Sequence, residues 1–281
     1  MICAWQPLLH ILPTSIRQEV DRLGKDKLQE LRMRLGMPSE LICSDRCIQL
    51  KQPVSSEMLQ FVVNTACRYS PWTAATAAEG YITTQGGHRI GLCGEAVIRD
   101  GRMADMKRIT SVCIRVARDF PGIGKAAPNS GCLIILGKPG SGKTTLLRDI
   151  IRLRSETGQG SIAVVDERGE LFPTFQGKSC FLPGIRTDIL SGCPKMQGIE
   201  MLLRTMGPVT IALDEITAPE DCQGLLQALW CGVDLIATAH AGSVREFMKR
   251  PIYKPLVDSH VFTTALVMQP DKSWCVERIP I

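Results

Sequence analysis

The sequence predicts an α/β protein with a mainly parallel sheet, preceded by a smaller α+β domain. From residue 131 onward, apolar segments of strand length alternate with helical segments, which is typical of parallel strands covered on both faces. The first of these strands runs directly into a glycine-rich loop and then a helix. Before residue 119 the pattern differs, because helical spacing gives way to alternating strands with glycine-marked turns.

The N-terminal domain is predicted over residues 1–118. Apolar spacing predicts helices over residues 15–35, and two short strands around a turn are expected over 40–50. Serines ahead of a glutamate and an apolar stripe predict a capped helix over 54–70. Residues 81–116 have strand patterning with glycine-rich turns, which makes this domain α+β.

A linker is predicted over residues 119–130, which are rich in proline and glycine and lack an apolar period. The second domain is predicted over residues 131–281. Its last apolar segments, on either side of Pro270 and Asp271, predict a hairpin at the edge of the sheet.

Residues 137–144 match the phosphate-binding pattern G-x-x-x-x-G-K-[ST] in full, between an apolar strand and a helix. Glycines allow several backbone N–H groups to point into one concavity, and the helix that follows adds its positive N-terminal dipole. Lys143 is expected to reach the β- and γ-phosphates of ATP, and Thr144 to be a ligand of Mg²⁺. The residues predicted to bind ATP are Gly137, Lys138, Pro139, Gly140, Ser141, Gly142, Lys143, Thr144 and Thr145.

Hydrolysis also needs a metal-side acid and a group that positions the attacking water. An apolar strand ends in Asp214 and Glu215, so Asp214 is predicted to hold Mg²⁺ and Glu215 to polarise the water. Glu167, after the strand that follows the phosphate loop, is the competing candidate for the base. An acid in that place also commonly caps the next helix, and both interpretations stay open.

His240 ends another apolar strand, where polar residues face the crevice in which α/β proteins bind ligands. It is a candidate sensor of the γ-phosphate, and a capping histidine is the alternative.

The composition favours a globular chain without a membrane span or a signal peptide, so we expect it in the cytoplasm. The net charge of +5 lies in the N-terminal part. This charge keeps one rival open, an ATPase of the RecA type that acts on nucleic acid, although no nucleic-acid-binding motif accompanies it. A small-molecule kinase is disfavoured, because no acceptor-binding motif follows the phosphate loop.

The order of the motifs resembles that of secretion ATPases of the type II and type IV superfamily. After the phosphate loop come VVDERGE at 164–170, LDE at 213–215 and TAH at 238–240. One departure is Asp214, because typical secretion ATPases have glycine before the glutamate.

Three further motifs resemble the stage III sporulation protein AA family. They are ELRMRLGMP at 30–38, GGHRIGLCG at 86–94 and IRVAR at 114–118. The resemblance implies a RecA-like core and a ring-shaped homo-oligomer, a hexamer. It also implies a mother-cell ATPase that works with membrane-embedded subunits of a channel into the forespore, peripheral to the membrane and without nucleic acid as partner.

In ring ATPases, an arginine from the adjoining subunit often completes the phosphate site. Arg89, between glycines, and Arg115 and Arg118, just before the predicted linker, are the candidates for such a role. Pairing with acids of their own domain is the alternative for each.

Overall fold

A computed structural model describes residues 1–67, 80–158, 160–175 and 177–280. The chain divides into two compact units. The first comprises Met1–Asp119 and Pro173–Phe181, and the second comprises Phe120–Phe172 and Leu182–Ile281. Among the described residues, no helix has the length and apolar character that crossing a bilayer requires.

The first unit is an antiparallel sheet with helices, in the strand order β3-β2-β1-β6-β5-β4. Its strands are β1 (Leu28–Arg34), β2 (Pro38–Cys43), β3 (Cys47–Pro53), β4 (Tyr81–Thr83), β5 (Arg89–Arg99) and β6 (Arg102–Arg115). Its helices are α1 (Trp5–His10), α2 (Thr14–Leu23) and α3 (Ser56–Cys67). A short antiparallel ribbon of β9 (Thr174–Phe175) and β10 (Lys178–Ser179) belongs to the same unit.

The predicted helix is wrong for the second half of residues 15–35, where the structure has strand β1. Leu28, Leu31 and Met33 of this strand are buried, and β1 pairs with β2 and β6. An irregularity in the pairing with β2 falls between Leu28 and Glu30. This bulge separates the first two buried leucines by three residues, which imitates helical spacing.

Helix α3 begins as predicted. The Ser55 hydroxyl accepts a hydrogen bond of 3.2 Å from the backbone N–H of Met58, which satisfies a free donor of the first turn. Residues 68–70 of the predicted helix lie outside the described residues. The apolar face of α3 contributes Leu59 and Val62 to the buried core of this unit.

The second unit is an α/β structure with a seven-stranded sheet in the order β11-β8-β12-β13-β7-β14-β15. Its strands are β7 (Leu133–Leu136), β8 (Ile162–Asp166), β11 (Thr187–Ser191), β12 (Thr210–Leu213), β13 (Asp234–Ala239), β14 (Thr264–Met268) and β15 (Trp274–Arg278). Its helices are α4 (Lys143–Thr157), α5 (Lys195–Thr205), α6 (Pro219–Trp230), α7 (Val244–Lys249) and α8 (Lys254–Asp258), with a 3-10 turn at Pro251–Tyr253.

The strands of this sheet are parallel except β15, which pairs antiparallel with β14. The mainly parallel sheet and the terminal hairpin at its edge are therefore confirmed. Because parallel strands end at one edge, the residues that follow β7, β8, β12 and β13 lie at the same side of the sheet.

Residues 120–130, within the predicted linker, are held by helix α4. The backbone N–H groups of Gly122 and Gly124 donate to the Asp149 carboxylate at 2.9 and 2.8 Å. The Arg154 guanidinium donates to the carbonyl oxygens of Pro128 and Gly131, each at 3.0 Å. This segment is thus part of the second unit.

Candidate active site

The glycine-rich loop follows the fully buried strand β7 and leads into α4. Gly140 and Gly142 have φ of +74° and +100°, which side chains other than glycine rarely adopt. A Cβ atom at Gly137 would lie 2.4 Å from the Ser141 hydroxyl oxygen, so a larger residue would clash there. The loop geometry explains these three glycines.

Lys143 is 6% exposed and lies beneath the loop. Its ammonium group donates to the carbonyl oxygens of Gly137 at 3.0 Å and Lys138 at 3.1 Å. Burial lowers the pKa of the Lys143 ammonium, against the opposing effect of the Glu215 and Asp214 carboxylates. The lysine is a buried cation aimed at the inside of the loop.

The loop and its surroundings fit a phosphate group. The Ser141 hydroxyl oxygen is buried and has no hydrogen-bond partner within the part of the chain that the structure describes. A buried polar atom of this kind requires a partner, and a phosphate oxygen would be one. The start of α4 and the Lys143 ammonium add positive charge to the same place.

Thr144 and Asp214 face each other across the loop. The Thr144 hydroxyl donates to the two Asp214 carboxylate oxygens at 3.4 and 3.3 Å, and the Thr238 hydroxyl donates to Asp214 at 3.2 Å. Hydroxyl and carboxylate oxygens are the ligands that Mg²⁺ prefers, together with phosphate oxygens and water. The residues present therefore fit a magnesium ion shared with a bound phosphate.

His240 lies between Lys143 and Glu215. Its Nδ1 atom is 3.0 Å from the Lys143 ammonium nitrogen, and its Nε2 atom contacts a Glu215 carboxylate oxygen. Because an ammonium can only donate, Nδ1 accepts and the proton is on Nε2, which donates to Glu215. The imidazole thus connects the loop lysine with the carboxylate that follows β12.

The acids after β8 differ in their environment. Asp166 is buried and accepts backbone N–H bonds from Glu170 at 2.9 Å and Phe172 at 2.8 Å. Burial raises the pKa of the Asp166 carboxyl group. The Glu167 carboxylate is partly exposed and forms an ion pair of 2.7 Å with Lys195. Asp166 therefore supports the local turn, whereas Glu167 is accessible.

A groove at this edge of the sheet, called here the acidic groove, brings these elements together. Its lining residues include Asp166, Glu167, Glu170, Lys195, Asp214 and Glu215. The structure thus places the two candidate bases, Glu167 and Glu215, in one groove. Lys195 was missed by the sequence reasoning, because a lysine at a helix start after a proline has no motif to mark it.

The three candidate arginines belong to the first unit. The Arg89 guanidinium lies over the ring of Tyr81, 3.8 Å from its centroid, and Arg115 is exposed at the end of β6. Arg118 donates to the carbonyl oxygens of Lys25, at 2.7 Å, and Leu28. These contacts favour a role of Arg118 within its own unit, and action in trans stays a prediction for Arg89 and Arg115.

The fold is similar to that of two solved proteins, an ATPase and a pilus motor. The chain superimposes on the Legionella pneumophila ATPase DotB with a TM-score of 0.56 at 18% identity, over 95% of this chain and 81% of that one. It matches the pilus retraction motor PilT, solved with bound ADP, with a TM-score of 0.62 at 15% identity, over 93% and 80% of the two chains. At these identities the likeness concerns the fold.

Sequence comparison defines the family. Residues 5–276 match the model of the family described as "Sporulation stage III, protein AA". The chain is 34% identical to stage III sporulation protein AA of Bacillus subtilis, over 94% of this chain and 91% of that protein. The chain belongs to this family, as its N-terminal motifs indicate.

Proposed function

We propose that this protein is a Mg²⁺-dependent ATPase with a RecA-like core, the motor of a membrane-associated transport complex. The observation that carries the proposal is the convergence of Lys143, Thr144, Asp214, Glu215 and His240 at one end of a parallel sheet. Family membership and a fold similar to that of the ATPase DotB and the pilus retraction motor PilT support it. We assign the ATPase activity to the second unit, Phe120–Phe172 and Leu182–Ile281, which contains the predicted domain 131–281 except for the ribbon at Pro173–Phe181.

The loop residues Gly137 to Thr145 would hold the phosphates of ATP through backbone N–H groups. The Ser141 hydroxyl would gain an acceptor, and the Lys143 ammonium would exchange loop carbonyls for phosphate oxygens. Thr144 and Asp214 would hold Mg²⁺, which neutralises phosphate charge when bound. These residues bind and orient the substrate.

Glu215 is assigned as the base that polarises the attacking water. Its carboxylate contacts the imidazole of His240, which in turn contacts Lys143, so a change at the loop is passed to the base through one side chain. This arrangement gives His240 a role as sensor of the γ-phosphate. Glu167 lines the same groove and is assigned a supporting role toward the water.

The complex that this motor serves is assigned from the family and the fold. We infer a ring-shaped homo-oligomer, a hexamer, on the cytoplasmic face of the sporulation channel between mother cell and forespore. Membrane-embedded channel subunits would be its partners. Arg89 or Arg115 would act across the interface between subunits, where an arginine stabilises charge on the phosphoryl group.

Replacing Lys143 with Ala tests the proposal. The loop loses the cation nearest the transferred phosphate, so steady-state ATP turnover should fall by about 100-fold or more. The matched control is Lys249→Ala, which removes an exposed lysine at the end of α7. Phosphate release is measured with circular dichroism as a check of folding. A folded Lys143→Ala protein with wild-type turnover would contradict the proposal.

A further inference from the structure

We propose that Lys195 is a positioning residue for ATP hydrolysis, which acts by holding the Glu167 carboxylate in the acidic groove. This inference rests on the proposed function. Lys195 is 6% exposed, and its ammonium nitrogen is 2.7 Å from a Glu167 carboxylate oxygen. A short contact between a buried cation and a partly exposed acid restricts the orientation of the acid.

A second contact of Lys195 reaches the segment after the other candidate base. Its ammonium nitrogen is 3.4 Å from a carboxylate oxygen of Asp221, which is 5% exposed. The same carboxylate accepts backbone N–H bonds from Thr217 at 2.8 Å and Ala218 at 3.1 Å. Since these residues follow Glu215 closely, Lys195 links the acid after β8 with the segment after β12.

The backbone that carries Lys195 is held by close packing. A Cβ atom at Gly198 would lie 2.8 Å from a methyl group of Val165 in β8. A Cβ atom at Gly224 in α6 would lie 2.9 Å from a methyl group of Ile199 in α5. The first turn of α5 therefore has little freedom relative to β8 and α6, and the ammonium group is a fixed point for Glu167.

A purely structural role for Lys195 makes a different prediction from a positioning role. A buried lysine without partners is costly, so the ion pairs could serve only to neutralise it and Asp221. In that case, removing the charge changes stability and leaves the turnover of the folded protein unchanged. A positioning role instead requires that the effect on turnover depend on the Glu167 carboxylate.

The experiment is a double-mutant cycle of Lys195→Met and Glu167→Gln on the full chain. Steady-state kcat and KM for ATP are measured, together with the Kd of a fluorescent ATP analogue. Lys254→Met is the matched control, because it removes a lysine from an exposed ion pair with Asp258 on α8.

Lys195→Met should lower kcat by about 10- to 100-fold, the usual effect of losing a residue that orients a functional group. The Kd of the analogue should change by less than about threefold, because the ion pairs of Lys195 among the described residues are with Glu167 and Asp221 and not with the phosphate loop. In the Glu167→Gln background, the further loss of kcat should be less than about twofold. Lys254→Met should turn over like the wild-type protein.

Equal losses in both backgrounds, or an unchanged kcat in either single variant, would overturn the inference. If Lys195→Met does not fold, Lys195→Arg replaces it, since it keeps the charge and displaces the donor. Its loss of kcat should likewise vanish with Glu167→Gln. Absence of turnover in the wild-type protein would overturn the proposed function as well, whereas normal turnover in Lys195→Met would overturn only the role of Lys195.

Discussion

His88 makes the stability of the first unit dependent on pH. Its side chain is fully buried, its Nδ1 atom accepts a hydrogen bond of 3.1 Å from the backbone N–H of Ala117, and its Nε2 atom lies 2.9 Å from the carbonyl oxygen of Ala4. The imidazole is thus neutral, with its proton on Nε2. Burial lowers the pKa of His88 from 6.5 to about 4.

The sign of the effect follows from this lowered pKa. Between pH 6.5 and about 4 the unfolded chain binds a proton at His88 and the folded chain does not. The contribution of His88 is therefore complete above pH 6.5 and is lost as the pH falls toward 4. The difference between the two pKa values corresponds to about 3 kcal/mol in the free energy of unfolding.

The measurement compares the wild-type protein with His88→Gln, which keeps a donor and an acceptor without a titratable group. Urea unfolding is followed at pH 7.5, 6, 5 and 4.5 by hydrogen exchange of peptides from the first unit. The difference in unfolding free energy between the two proteins should shrink steadily as the pH falls, because only the wild-type protein has the buried histidine. The other titrating groups are the same in both proteins, so their effects cancel in the difference. The control is His10→Gln at an exposed histidine. Parallel curves for the wild-type protein and His88→Gln would refute the reasoning.

Two further predictions concern the reaction. Glu215→Gln should bind ATP normally and hydrolyse it about 100-fold more slowly, since glutamine keeps the shape of the side chain but cannot act as a base. Turnover is measured by phosphate release. If only Glu167→Gln slows it, Glu167 is the base instead of Glu215. If Arg89 or Arg115 acts in trans, its alanine variant, Arg89→Ala or Arg115→Ala, should bind ATP like the wild-type protein and turn it over about 1,000-fold more slowly. Mixing that variant with Lys143→Ala should restore ATP turnover at interfaces where an intact phosphate loop meets an intact arginine. If turnover is not restored at any mixing ratio, although mixed rings are shown to form, the arginine has no role in the active site.

The features predictable from the sequence are those set by local patterns. The phosphate loop could be recognised because its glycines, Lys143 and Thr144 lie within one short segment that has a strand before it and a helix after it. The terminal hairpin and the helix capped by Ser55 were local in the same sense. The ends of the strands could also be foreseen, so Thr144 and Asp214 were expected at the same edge of the sheet. Their contact depends in addition on the strand order, in which β13 lies between β7 and β12.

The features that could not be predicted depend on distant contacts. Strand β1 consists mostly of good helix formers, and only its place between β2 and β6 makes it a strand. The ion pair of Lys195 joins residues far apart in the sequence, and no local pattern indicates it. The glycines and prolines of 120–130 favour a linker on local grounds alone. In the structure this segment is held by the Asp149 carboxylate, which accepts the N–H groups of Gly122 and Gly124 and lies far along the chain.

The return of residues Pro173–Phe181 to the first unit has a consequence for dissecting the protein. A Cβ atom at Gly87 would lie 2.6 Å from the Pro173 ring, and backbone N–H groups at Gly86 and Gly87 contact the Cys180 sulfur. A fragment that stops at Asp119 would leave these glycines uncovered, and one that starts at Phe120 would carry nine residues whose packing surface is missing. The two units therefore cannot be separated by cutting the chain at one point. A fragment for the first unit needs residues Pro173–Phe181 in addition to Met1–Asp119.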